Sequence, residues 1–300
     1  VSDVNNDYYF DNKGISAKEF KRQLSYFKSK YTIISLKDAY ENLEDQTYFI
    51  NKLVITFDDG FRENHSVIAP ILDDLGITAT FFFISNCIDN NDLMWRNKLL
   101  LIKKHFNNKL LNKIEIISKK YNILSCKDKS DLMNWSLNIL PMIHKEEVVN
   151  SLWNLVMPLS IEEFLYINKP YCTKNQIKDL SDFGFEIGSH SMSHPNFNRI
   201  NYDTFVNEIV SSSKIISEIV LKDVNFFSYP FGIRSKIDYE KEFMKTHNNI
   251  KSFLGIKNSL NNTANNIKSL ERDNLEFEYD VMKARFLILP LIRRISINLT

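Results

Sequence analysis

The stretch LVITFDDGFRENHSVIAPILDDLGITATFFFIS, residues 53–85, decides the fold. Leu53–Phe57 is short, apolar and rich in β-branched residues, which is the pattern of a strand. SVIAPILDDLG spaces its apolar residues for a helix and closes on Gly76, a residue suited to the left-handed position after a helix end. TATFFFIS, Thr78–Ser85, then reads as a second strand. Strand, helix, strand at this length is a βαβ unit and implies a parallel pair. Two neighbouring carboxylates, Asp58 and Asp59, stand directly after the first strand. Asp-Asp-Gly is also ordinary turn chemistry, so these three residues by themselves do not establish a site.

The βα alternation extends in both directions. FKRQLSYFKSKYTIISLKDAYENLE, Phe20–Glu44, reads as helix, short strand (YTIIS) and helix. TKNQIKDLSDFG is a helix with Thr173 as N-cap and Gly184 beyond its end, and FEIGSH is the next strand. A helix over about Tyr202–Leu221, a strand in NFFSYPFG, a helix near Tyr239–Asn248 and a strand KSFLGI follow. Repeated βα units predict a parallel sheet, either a barrel or a doubly wound sheet. Between Asn91 and Asn168 the character changes to sustained helical spacing, as in KLLLIKKHFNNKLLNKIEIISKKY and EEVVNSLWNLV. The division expected is a first α/β part over residues 1–90, a helical insertion over 91–168, a second α/β part over 169–275 and a C-terminal extension over 276–300.

A chain of 300 residues with 44% hydrophobic content can bury a large core. Its 38 basic and 37 acidic residues nearly cancel, which leaves no field or basic block for nucleic acid. Cys87, Cys126 and Cys172 have no paired spacing, so packing is expected of them rather than a disulfide framework or a thiolate metal site. No apolar run approaches the roughly 20 residues that span a bilayer. FLILPLI, Phe286–Ile292, flanked by Lys283, Arg285, Arg293 and Arg294, suggests peripheral membrane contact, with a core-packed element as the equal alternative. The chain opens on Val1 rather than methionine, which leaves room for an upstream signal or anchor.

Chemistry gathers at strand ends. EIGSHSMSHPNF sets His190 and His194 four residues apart after a strand, and one helical turn there would let both imidazoles reach one ion. Asp58 and Asp59 follow LVITF, the histidines follow FEIGS, and Pro230–Gly232 follow NFFSY. In a parallel α/β fold these ends share one rim, where active sites form. One carboxylate with two imidazoles makes a three-ligand set of the catalytic kind, with Asp59, His190 and His194 as the ligands. Asp58 beside it is placed to accept the proton of an attacking water.

TFDDG, HSMSH and YPFG, in this order and each after a strand, resemble the first three motifs of the polysaccharide deacetylases, the NodB-homology or carbohydrate esterase family 4 enzymes. The resemblance covers about Ser16–Ser85 and Asn168–Leu275, and is closest to the subgroup of exopolysaccharide and surface-glycan deacetylases. It implies a distorted (β/α) barrel of fewer than eight strands and a divalent metal, zinc first with cobalt or nickel as alternatives. It also implies hydrolysis of N-acetyl groups from N-acetylhexosamine units of a bacterial glycan, at the cell envelope or a membrane periphery. Asp58 then resembles the general base, Asp59, His190 and His194 the metal ligands, and the backbone N–H of Phe231 the oxyanion donor.

Two features depart from that family. Many members carry an arginine two residues before the third motif's proline, where it holds the base; here Ser228 stands there. Arg272, in SLERDNL after the last barrel-like strand, is a candidate replacement, although a solvent-facing arginine is the commoner case. A late histidine that serves as general acid is also missing, since the last histidine is His247 and no tryptophan follows Trp153. Tyr229, Pro230, Trp95 and Arg272 are the expected substrate contacts, Trp95 because aromatic faces pack on pyranose rings, with anchorage of the insertion as its alternative role. A formyl group or an O-acetyl ester would suit the same site, and loss of two family features leaves a catalytically impaired glycan-binding module as the rival.

Overall fold

The computed structural model describes Val1, residues 14–256 and residues 269–273. The chain runs α1 (Ala17–Lys30), β1 (Thr32–Ile33), α2 (Leu36–Glu41), β2 (Lys52–Leu53), β3 (Thr56–Phe57), α3 (Ala69–Asp74) and β4 (Thr80–Phe83). The helices α4 (Trp95–Lys104), α5 (Asn108–Tyr121), α6 (Leu132–Asn134), α7 (Lys145–Val156) and α8 (Ile161–Asn168) come next. Then follow α9 (Lys174–Asp182), β5 (Glu186–Ser189), α10 (Tyr202–Val220), β6 (Phe226–Ser228), α11 (Ile237–Thr246), β7 (Ser252–Ile256) and β8 (Ser269–Arg272).

Six strands pair parallel in the order β3-β4-β5-β6-β7-β8, with β1 and β2 as a separate parallel pair. Lys52–Phe57 is one extended passage that changes partner midway. Its first half pairs β1 and its second half pairs β4, with Thr80 N–H donating to the Ile55 carbonyl at 3.1 Å. The single strand expected from LVITF is therefore split in two. The sheet curls into a distorted half-barrel, and its edges come close enough for Arg272 of β8 to donate to Thr56 Oγ1 of β3 at 3.0 Å.

Strand parity fills this barrel in layers, since alternate residues face one side. At the bottom Thr80 Oγ1 donates to Glu186, whose carboxylate also accepts the Leu36 and Lys37 N–H groups and so seats the start of α2. The middle layer is Phe82, Phe226 and Leu254, with Val54 and Leu270, covered by Leu36 and Tyr40 of α2. Gly188 lies opposite Phe82 in register, and a Cβ there would sit 2.3 Å from the Phe82 ring. The same parity brings Asp58, His190, Ser228 and Arg272 to the rim. Phe81 and Phe83 face the other way, into the layer of α3, α9 and α10.

Residues 91–168 contain no strand. Their helices pack around Leu99, Ile102, Ile114, Trp135, Leu152 and Trp153, and that cluster continues onto Ile84, Cys87 and Tyr171 and onto Phe61 and Phe231 at the barrel rim. Helix α9 starts with the reciprocal bonds of a capping box, between Thr173 and Gln176. All three cysteines are free and buried. SLER, expected beyond the last strand, is itself β8, paired with β7 from Phe253↔Ser269 to Ile256↔Arg272. No helix among the described residues is long and apolar enough to cross a membrane. The FLILPLI stretch and the 276–300 extension lie outside the described residues.

Candidate metal centre

Asp58 follows β3 on the interior parity, so Asp59 would face outward if the strand continued. It does not continue. Asp59 and Gly60 both take left-handed conformations, φ 71° and 72°, and this turn swings the second carboxylate back over the rim. Aspartate tolerates that region, and glycine is required at 60 because a Cβ would meet Phe83 Cδ1 at 2.6 Å. After β5 the loop from His190 to His194 is not the helical turn expected from the HxxxH spacing. Ser191 and His194 have φ 70° and 55°, and Ser191 Oγ accepts the His194 N–H at 2.9 Å. The two rings still meet, with centroids 4.9 Å apart.

Asp59, His190 and His194 each present a ligand atom, and these atoms lie within 4.8 Å of one another. Asp59 Oδ1 is 3.3 Å from His190 Nε2 and 3.4 Å from His194 Nε2. His190 Nδ1 lies 2.7 Å from the Ser228 carbonyl, so Nδ1 must carry the proton that it donates. In the neutral ring Nε2 then turns a lone pair toward a carboxylate, an arrangement that a cation between them satisfies. The buried His194 ring has no partner at Nδ1 among the described residues. This donor set fits a divalent ion of zinc type.

The charges follow from burial and neighbours. Burial opposes ionisation of Asp59, but hydrogen bonds to the two histidines hold its carboxyl far below the usual range. Burial pushes His194 down to about 4, so its ring is neutral near pH 7. Burial acts the same way on His190, but the charges of Asp58 and Asp59 outweigh it and raise that group. Burial raises the Asp58 carboxyl, but Arg272 and His190 together outweigh it, and the net shift is downward, which keeps it an anion.

Arg272 is the residue that holds Asp58. Its two terminal nitrogens donate to the two carboxylate oxygens at 2.8 Å each, a bidentate clamp. Arg272 Nη2 also donates to Ser228 Oγ at 2.6 Å, and Ser228 Oγ donates to Asp58 Oδ2 at 3.0 Å. Arg272 is thus engaged by Asp58, Ser228 and Thr56. Its side chain is only 13% exposed, against the solvent-facing alternative.

The other expected contacts are arranged differently from a groove wall. Tyr229 and Pro230 are buried; the Tyr229 ring packs among Phe197, Phe227 and Phe253, and its hydroxyl bonds Ser235. Trp95 is 1% exposed and donates Nε1–H to the His194 carbonyl at 2.7 Å. Its ring supports Phe231 edge-on, and Phe231 in turn packs edge-on against His194 with centroids 4.5 Å apart. Phe231, φ 58°, is the member of this set that stays partly exposed at the centre, with the Arg96 guanidinium 5.7 Å from its ring centroid. His65 faces Asp179 of α9, away from the ligands. Glu208 of α10, which the sequence did not single out, lies beneath the histidine loop and accepts the Met192 and Ser193 N–H groups at 2.9 and 2.8 Å.

A family model described as polysaccharide deacetylase matches residues 49–249, spanning both carboxylates, both histidines and the Pro230–Gly232 turn. The chain belongs to the polysaccharide deacetylase family. Over 58 residues it is 31% identical to the peptidoglycan-N-acetylglucosamine deacetylase of Bacillus cereus, an alignment covering 19% of this chain and 21% of that protein. The chain therefore spans about a fifth of that curated relative. Among solved structures, the deacetylase PplD of Streptococcus pyogenes, in complex with acetate, superposes with a TM-score of 0.57 at 16% identity, covering 91% of this chain and 87% of that one. IcaB of Ammonifex degensii gives 0.57 at 15%, covering 90% and 87%. A de-N-acetylase of Aggregatibacter actinomycetemcomitans gives 0.55 at 15%, covering 94% and 95%. At these identities the likeness shows a shared fold, that of a distorted NodB-type barrel.

Proposed function

We propose that this polysaccharide deacetylase family member is a metal-dependent hydrolase that removes acetyl groups from N-acetylhexosamine units of a bacterial surface polysaccharide or its precursor. One observation carries the reading: an ionised aspartate, clamped by Arg272 and Ser228, stands beside an Asp-His-His ligand set on the same rim. A purely binding module has no use for a fixed base next to its metal. The activities of the similar proteins, deacetylation in each case, support the same class.

Asp59, His190 and His194 hold a divalent ion, zinc by the chemistry of the donors, and when bound it supplies Lewis acidity toward the acetamide carbonyl and the attacking water. Asp58 accepts the proton of that water at Oδ2, the oxygen 4.0 Å from His190 Nε2. Arg272 and Ser228 fix the direction of that oxygen and keep it unprotonated. The Phe231 N–H, on the left-handed turn after β6, donates to the developing oxyanion. Of the other histidines, His65 faces Asp179, His144 stacks on Tyr121, and His247 stacks on Phe243, so none of these three is a second acid at the rim. The proton captured by Asp58 is the one delivered to the departing amine nitrogen.

The test is mass spectrometry of defined N-acetylated and N-formylated oligosaccharides incubated with zinc-loaded protein. Loss of one acetyl mass from the former supports the reading. Asp58→Asn should keep the metal and lose turnover by roughly 10²–10⁴-fold, the range for removing a positioned proton acceptor. Full metal occupancy with undiminished deacetylation in that variant would refute the role of Asp58. A wild-type protein that binds metal and glycan without turnover would favour the binding-module reading.

A further inference from the structure

The loop that carries His194 is gripped from the helical insertion. Trp95 of α4 donates to the His194 carbonyl at 2.7 Å, and Lys145, the first residue of α7, donates from Nζ to Ser193 Oγ at 2.9 Å. Further along, Asn196 Nδ2 donates to the Leu137 carbonyl at 3.3 Å, and Arg199 donates to the carbonyls of Leu137, Ile139 and Leu140 at 2.9, 3.1 and 2.9 Å. On the barrel side Ser193 Oγ donates to the Glu208 carboxylate, which also takes the Met192 and Ser193 N–H groups.

Ser193 therefore joins a cation to an anion, accepting from one and donating to the other. Lys145 is 6% exposed and Glu208 4%. Such groups are retained in an interior only when paired, and here the pairing runs through one hydroxyl of the metal loop, while Lys145 also lies 3.4 Å from Glu146. The loop needs external support, because Ser191 and His194 both hold left-handed conformations that non-glycine residues keep only where the surroundings fix them.

We propose that the insertion over residues 91–168 is the outer brace of the metal loop, with Lys145 a positioning residue that sets His194 through Ser193 and Glu208. The proposal rests on the reading of Asp59, His190 and His194 as metal ligands. It assigns the insertion a part in the metal site as well as whatever it contributes to the glycan groove.

The experiment uses the full chain, with zinc affinity from competition against a chromophoric chelator and the visible ligand-field spectrum of the cobalt-loaded protein. Lys145→Met and Ser193→Ala are each expected to weaken zinc binding by about 10–100-fold, the usual cost of losing an outer hydrogen bond to a metal site, and to shift the cobalt bands. Their double variant should be no weaker than the worse single one, since both break the same chain. Lys145→Arg should restore most of the affinity, and Lys120→Met, an exposed change on the same insertion, should leave it unaltered. A folded Lys145→Met protein with zinc affinity within about twofold of wild type and an unshifted cobalt spectrum overturns the proposal. If Lys145→Met does not fold, wild-type affinity in Ser193→Ala overturns it equally. Equal weakening by Lys120→Met would also overturn it, because the effect would then not run through Lys145. A wild-type chain that binds no zinc would instead defeat the metal assignment itself.

Discussion

Replacing Arg272 by methionine tests the base and the fold together. The guanidinium makes two 2.8 Å bonds to Asp58, a 2.6 Å bond to Ser228 Oγ and a 3.0 Å bond to Thr56 Oγ1. Breaking a fully buried pair by removing one partner costs about 3–5 kcal/mol. Asp58 and Arg272 keep 25% and 13% of their side-chain exposure, so water recovers part of that and about 2–3 kcal/mol is expected here. For a chain of this size that lowers the melting temperature by roughly 3–5 °C. The chemistry changes in sign as well. With Arg272 present, the Asp58 carboxyl lies below its ordinary 3.8, so its stabilising charge is complete above that pH and is lost as pH falls through the depressed value. Without Arg272 the burial of Asp58 is unopposed by its main counter-charge, its carboxyl rises, and the acid limb of the activity profile should move up by at least about one pH unit. Zinc content should persist, because Arg272 touches no ligand. Arg272→Lys should recover charge but not the two-pronged geometry, and so only part of the rate. Thermal unfolding, metal analysis and a pH–rate profile decide the matter: an unmoved acid limb together with an unchanged melting temperature would refute the clamp.

Three further expectations follow from particular residues. His190→Ala should lose stoichiometric metal, as read by elemental analysis, and a variant that retains it would show that the ligand set is misassigned. Gly60→Ala should destabilise the chain by at least about 2 kcal/mol in a denaturant titration, because alanine would have to hold φ 72° and displace the buried Phe83 ring; a loss below about 0.5 kcal/mol would contradict the need for glycine. In the metal-free protein His194 titrates near 4 folded against 6.5 in the free side chain, so the unfolded chain takes up the proton first and stability falls as pH drops from about 6.5 toward 4. That contribution is of order 3 kcal/mol, opposed by His190, whose raised value acts in the other direction. His194→Gln should flatten this acid slope, and an unchanged slope would remove the cause assigned to it.

The strand-end carboxylates and histidines were legible because period-two and period-3.6 patterns change over at the residues that carry chemistry. Thr173 announced the start of α9 in the same local way, and its reciprocal partner Gln176 appears only in the structure. Strand β8 was not legible: SLER offers one apolar residue among four, and its strand character comes from pairing with β7. Trp95 could be read as a sugar platform or as an anchor, and its burial and the bond of its Nε1–H to the His194 carbonyl are visible only in three dimensions. The histidine loop defied the helical reading of HxxxH because two left-handed residues, stabilised by the distant Glu208, let the rings meet without a helix. Lys145 and Glu208 lie 48 and 15 residues from Ser193, and nothing local in the sequence links them.

Layering explains how an arginine on β8 can serve a base on β3. Ser228 is paired in register with Leu254, and Leu254 with Leu270, so the ladder leads from β6 across β7 to β8. Arg272 is two residues on, facing the same interior as Leu270, one step nearer the rim. Asp58 stands likewise two residues beyond Thr56 and four beyond Val54 on the inward parity of its own strand. The curl closes the gap between the sheet edges to the reach of one guanidinium. An arginine entering from position 228 or from 272 would therefore address the same carboxylate, and Ser228, left small, hands its hydroxyl to Asp58 and its carbonyl to His190. The departure from the third-motif pattern thus relocates the clamp on the base. It also gives Ser228 a second function, because one residue now aligns Asp58 through Oγ and fixes the tautomer of His190 through its carbonyl.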